Sequence, residues 1–85
     1  MTFTVLWTPS AEKDLAAVWM AADDRDAVTS AAATIDALLR ENPQALGESR
    51  EESLRITFVA PLGVDFEVLD EDRIVYVLSV WSIER

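Results

Sequence analysis

Asp65 and Glu67 stand two residues apart, interleaved with Val64, Phe66 and Val68. Side chains alternate sides along a strand, so both carboxylates share one face and the three apolar residues share the other. A carboxylate pair can act as general acid and base where an apolar pocket drives the two pKa values apart. No such pocket is evident in the sequence, and a solvated outer face is the simpler account. Asp23, Asp24 and Asp26 superficially resemble a cation loop. The turn glycine and distal glutamate of a calcium loop are absent, and helix capping explains them better. Ser10, Ser30, Ser49, Ser53, Ser79 and Ser82 have no histidine to activate them. Lys13, the alternative base, reads as an exposed first-turn helix residue. Trp7, Trp19 and Trp81 have faces on which bases could stack, although Trp7 and Trp19 fit a core better.

Composition narrows the chemistry further. The 85 residues are enough for one domain, 1–85, near the lower limit for a self-sufficient core, and 51% are hydrophobic. There is no cysteine and no histidine, so thiolate chemistry, the commonest general base and the commonest metal ligand are all missing. No metal site or cofactor is expected. The 7 basic and 16 acidic residues leave a net charge of −9. That surface repels phosphate, so direct DNA binding is not expected; the excess acid either keeps the domain soluble or meets a basic partner. No apolar run approaches a membrane span, and no basic flank with an apolar core opens the chain. A cytoplasmic protein is the expectation.

The elements that must position these residues follow from periodicity. Phe3 to Trp7 alternates as a strand. Thr8-Pro9 ends it and starts a helix, with Glu12 at the positive end of the dipole. Ala11, Leu15, Val18, Trp19 and Ala22 form one helical face. After the aspartates, Val28, Ala31, Ala32, Ile35, Leu38 and Leu39 form the stripe of a second helix, which Asn42-Pro43 ends. Residues 43–53 read as a loop turning at Gly47. Leu54 to Ala60 is a strand with Leu54, Ile56 and Phe58 on one face, and Arg55 and Thr57 on the other. Pro61-Leu62-Gly63 is a tight connection. A hairpin follows from Val64 to Trp81, turning at Asp70-Glu71-Asp72. Its second strand, Ile74 to Trp81, is apolar on both faces, which places it inside a sheet, with cover on one side that a partner could supply. If the helices cover Ile74, Tyr76, Leu78 and Val80, then Val75, Val77 and Trp81 line a binding face. The predicted fold is α+β: an antiparallel four-stranded sheet (β-α-α-β-β-β) with an N-terminal helical hairpin on one face.

This order, with its marker residues, resembles the RelE/ParE superfamily of bacterial toxins, found in type II toxin–antitoxin pairs and plasmid stabilisation systems. The markers are Trp7 to Leu15 (WTPSAEKDL), Asn42-Pro43 before Gly47, Leu54-Arg55, Phe66-Glu67-Val68 before an acidic turn, and Val77-Leu78-Ser79-Val80. The resemblance covers nearly the whole chain. It implies a toxin neutralised by a cognate antitoxin lying along sheet and helices. It also implies one of two targets: messenger RNA in the ribosome, cut by RelE-type members, or DNA gyrase, inhibited by ParE-type members.

Ribonucleolytic members hold the scissile phosphate with a basic cluster and often a C-terminal tyrosine, since cations must stabilise the pentavalent transition state. This sequence departs from that cluster. Arg55 is the cation nearest the second-strand positions, the third-strand arginine position is Gly63, and the position after the last strand falls near Ile83, two residues before Arg85. No C-terminal tyrosine follows. Arg55 and Arg85 are the remaining catalytic candidates, and the residues argue against an enzyme. The expectation is a toxin acting on a protein such as gyrase. The alternatives are a ribosome-dependent endoribonuclease with a reduced basic site and an inert binding protein. The face of Val75, Val77 and Trp81 would take either an antitoxin or a second copy of the chain.

Overall fold

The Thr8 hydroxyl sets the start of the first helix. In the computed structural model, which describes residues 2–51 and 53–83 and only the backbone of 49–51, that oxygen accepts the Ala11 N–H at 3.1 Å. Pro9 occupies the first helical turn, where no N–H is needed. Strand β1 (Thr4–Trp7) therefore runs directly into helix α1 (Pro9–Ala21). Asp24 caps helix α2 (Arg25–Glu41) in the same manner, accepting the Ala27 N–H at 3.0 Å. Arg40 lies in the last turn of α2 and Asn42 caps its end. A 3-10 turn at Pro43–Ala45 adds a third helical segment absent from the expected order.

Four more strands follow: β2 (Glu48–Glu51), β3 (Leu54–Val59), β4 (Leu62–Leu69) and β5 (Ile74–Ser82). They form a five-stranded sheet with β1, in the order β1-β5-β4-β3-β2. The expectation of four antiparallel strands needs two corrections. First, β2 lies within residues 43–53, read above as loop. Its sequence, ESRE, shows no apolar alternation, and pairing to β3 is what makes it a strand. Gly47 delivers the chain to that position. It has φ +69° and lies so close to β3 that a Cβ would overlap the Ile56 carbonyl. Second, β1 pairs parallel to β5, with Val5 beside Val75 and Trp7 beside Val77, so the sheet is mixed. Short turns enforce antiparallel pairing only between the strands they join. No such turn links β1 to β5.

The helices cover one face of this sheet. Ala11, Val28, Ala31, Ile35 and Leu39 pack on Val5, Val64, Phe66, Val68, Val75, Val77 and Val80. Burying each of the larger side chains contributes roughly 1.5–3 kcal/mol. A β-bulge decides which residues of β5 join them. Val77 pairs with Phe66 and Ser79 with Asp65, leaving Leu78 as an extra residue. Val75, Val77 and Val80 therefore face the helices, while Ile74, Tyr76, Ser79 and Trp81 face away. A binding face built on Val75 and Val77 is corrected accordingly: both are 0% exposed. In β3 the register puts Thr57 beside Val64 and Arg55 beside Phe66. Thr57 is consequently buried, at 6% exposure, while Phe58 points outward at 55%. Among the described residues no helix is long and apolar enough to cross a membrane.

The close approach at Gly47 makes a direct expectation. Gly47→Ala meets both the positive φ and the Ile56 backbone, and should cost more than about 1 kcal/mol of unfolding free energy in a urea titration. Wild-type stability would show that β2 does not lie against β3 as described.

Candidate partner-binding face

Each strand contributes alternate side chains to the sheet face turned away from the helices, and the strand register arranges them in rows. One row runs Thr4, Ile74, Leu69; the next Leu6, Tyr76, Glu67, Leu54; the next Ser79, Asp65, Ile56, Glu48; the last Trp81, Gly63, Phe58. No described element covers this face. Carboxylates down the middle are flanked by aromatic and aliphatic groups on both sides. Ser53 Oγ donates to Glu67 Oε2 at 3.1 Å, and Ser79 Oγ donates to Asp65 Oδ1. Both carboxylates are thus oriented by neutral hydroxyls.

Trp81 is held at the edge of this surface by three features. The bulge is fixed by α1: the Asp14 carboxylate accepts the Val80 N–H at 3.2 Å, and Thr8 Oγ1 donates to the Val77 carbonyl at 2.9 Å. Gly63 supplies a floor, since a Cβ there would lie 2.6 Å from the Trp81 ring. Phe58 closes the far side edge-on, its ring centroid 6.2 Å away and its plane at 79°. Trp81 is the one member of the expected trio that reaches the open face.

The cations are placed elsewhere. Arg55, a catalytic candidate from the sequence, lies on the helix side of β3. Its guanidinium donates to the Leu46 carbonyl at 2.9 Å and the Gly47 carbonyl at 3.1 Å, clamping the loop that leads into β2. Arg85, the other candidate, lies outside the described residues, as does the side chain of Arg50. Arg40 pairs with Asp36 at 2.8 Å, and the same aspartate accepts Trp7 Nε1 at 3.1 Å. Arg25 stacks on Trp19 at 4.7 Å and donates to the carbonyls of Trp19 and Met20. Arg73, in the β4–β5 turn with φ +55°, lies over Phe3 at 5.3 Å. Each described guanidinium therefore has a partner inside the chain. Among the described residues no cluster of three or more metal-ligating side chains occurs.

A second apolar surface lies on the helices. Leu15, Ala16, Trp19, Met20, Val28, Thr29 and Ala32 line a groove of about 510 Å³ between α1 and α2. Met20 is 67% exposed and Trp19 39%. Trp19 was expected in the core. One turn beyond Leu15, it lies at the margin of the buried stripe and leaves the sheet side to Val18. Sequence reading missed Met20, Tyr76 and Phe58 as surface candidates. The available signal was the run Trp19-Met20-Ala21, apolar all around the helix.

The sequence profile of the ParE toxins of type II toxin–antitoxin systems (parDE) matches residues 5–85. This chain belongs to the ParE toxin family. A search of curated proteins finds no match. Solved structures with the same fold include the RelBE2 toxin–antitoxin complex of Mycobacterium tuberculosis, at 16% identity and TM-score 0.79, covering 96% of this chain and 99% of that one. The chromosomal ParDE system of P. aeruginosa matches at 20% identity and TM-score 0.73, covering 96% and 97%. A mutant E. coli RelE toxin in the free state matches at 17% and 0.71, covering 99% and 86%. Both branches of the RelE/ParE superfamily therefore share this architecture.

Two substitutions test the geometry of this ParE-family face. Arg55→Ala removes two charge-assisted bonds to backbone carbonyls and should lower unfolding free energy by about 1–3 kcal/mol. Unchanged stability would show that Arg55 does not clamp the loop. Gly63→Ala pushes the Trp81 ring off its floor, at a cost of about 1–3 kcal/mol. The Trp81 indole resonance should move in a two-dimensional NMR spectrum, and an unmoved resonance would contradict the stacking.

Proposed function

We propose that this ParE-family toxin works by gripping other proteins and not by cutting RNA. The observation that carries the reading is the sign of the open face. Phosphoryl transfer to water or to a neighbouring hydroxyl needs cations where negative charge develops. Here the open sheet face presents Glu48, Asp65 and Glu67, and Arg55 is turned to the opposite side and bound to the Leu46 and Gly47 carbonyls. Apolar area, in contrast, is available both on that face and in the α1–α2 groove. Such surfaces suit protein partners.

The first partner in this reading is a cognate antitoxin. Several solved relatives are toxin–antitoxin complexes, and the α1–α2 groove offers an apolar lining of the kind that the apolar face of an amphipathic helix packs against. The second is a protein target such as DNA gyrase. A second copy of the chain is a poorer occupant, because two bodies of net charge −9 repel.

Expression from a tight promoter, with and without the protein encoded by the adjacent reading frame, tests the proposal. Growth should stop without the neighbour and resume with it, and the purified chain should inhibit gyrase supercoiling while translated messages stay intact. Codon-specific cuts in those messages would establish the ribonuclease reading instead. Normal growth together with a stable complex would establish an inert binding protein.

A further inference from the structure

The α1–α2 groove and the open face of the sheet both lack a described cover, and they differ in what they ask of an occupant. The groove is lined by apolar side chains, and its fit to an amphipathic helix belongs to the reading already given. The open face is amphipathic in a periodic way. Along β4, Asp65 and Glu67 are two residues apart, about 7 Å at the rise of an extended strand. Glu48 adds a third carboxylate in the row of Asp65. Tyr76 lies beside Glu67 across the β4–β5 pair, and Trp81 with Phe58 closes the end. Among the described side chains no cation lies on this face: Arg55 faces the helices, Arg73 turns onto Phe3, Arg25 and Arg40 are held on α1 and α2, and Lys13 belongs to α1.

We propose that this face docks an extended segment of a partner protein carrying arginines at every second residue. A strand-like segment lying along β4 repeats its side chains at the spacing of Asp65 and Glu67, so consecutive inward residues reach consecutive carboxylates. Guanidinium matches the planar fork of a carboxylate, and it also stacks on aromatic rings, which the flanking Tyr76 and Trp81 provide. Ser53 and Ser79 each satisfy one oxygen of their carboxylate and leave further acceptor capacity for the incoming donor. Charge complementarity selects this occupant over the others. A single-stranded RNA would set phosphates against the carboxylates, and a second copy would set carboxylates against carboxylates. The inference rests on the reading that the chain grips protein, and it specifies the chemistry of that grip.

The probe is a synthetic, end-blocked heptapeptide alternating arginine and threonine, titrated into the isotope-labelled full chain and followed by amide and indole NMR shifts. Shifts should centre on Phe58, Asp65, Glu67, Tyr76 and Trp81. The double variant Asp65→Asn/Glu67→Gln, which keeps shape and hydroxyl partners, should weaken binding at least tenfold. Glu12→Gln/Asp23→Asn, which removes the same charge from the helix side, should leave it unchanged. A citrulline version should not bind, and a version with its arginines consecutive should bind at least fivefold more weakly. Equal binding by the double variant or by the consecutive version would overturn the proposal, as would shifts spread over α1 and α2. Perturbation of the same residues by a uridine hexamer, or by dilution of the chain alone, would overturn it in favour of RNA or a second copy. The readings separate cleanly: growth arrest without peptide binding removes the docking face and leaves the toxin.

Discussion

The Asp14 carboxylate reaches from α1 to the Val80 N–H, just past the extra residue Leu78 in β5, and on the other side of that residue Thr8 holds the Val77 carbonyl. These two bonds pin the bulge between them. Their consequence is large because a strand has a period of two: an unbulged strand would send Val80 and Trp81 to the opposite faces. With the bulge held, Val80 joins Val75 and Val77 under the helices, and Trp81 takes the outside beside Gly63 and Phe58. The helix that buries the core thus also determines which aromatic group the molecule shows.

The same economy of placement governs charge. An arginine that closes a loop, as Arg55 does on the Leu46 and Gly47 carbonyls, has its donors committed in directions set by backbone. Arg25 and Arg73 spend their planar faces on Trp19 and Phe3. Four described guanidiniums therefore act within the fold (Arg40 with Asp36 is the fourth), and the charged side chains described on the open sheet face are those of Glu48, Asp65 and Glu67.

Much of this was legible in the chain. Thr8-Pro9, Asp24 and Asn42 mark helix ends because capping chemistry is local, and Val64, Phe66 and Val68 mark the core face of β4 because alternation there is strict. What was hidden depended on partners distant in sequence. β2 has no apolar pattern and exists through β3 and the approach of Gly47. The parallel β1–β5 pair has no turn to announce it. The facing of β3 runs against its own composition, since Thr57 is buried and Phe58 exposed, and that follows from its register with β4. The site suffered from the same cause: a bulge of one residue separates Trp81 from Val75 and Val77, with which simple alternation had grouped it.

Gly63 ties two positions of the fold together. The Trp81 ring occupies the space any side chain at this position would need, 2.6 Å from a first carbon. A larger residue at 63 alone would evict the indole, and a smaller residue at 81 alone would open a gap over bare backbone. Each change is harmful without the other. The two positions are therefore coupled, and the aromatic surface at this end of the sheet resists piecemeal change.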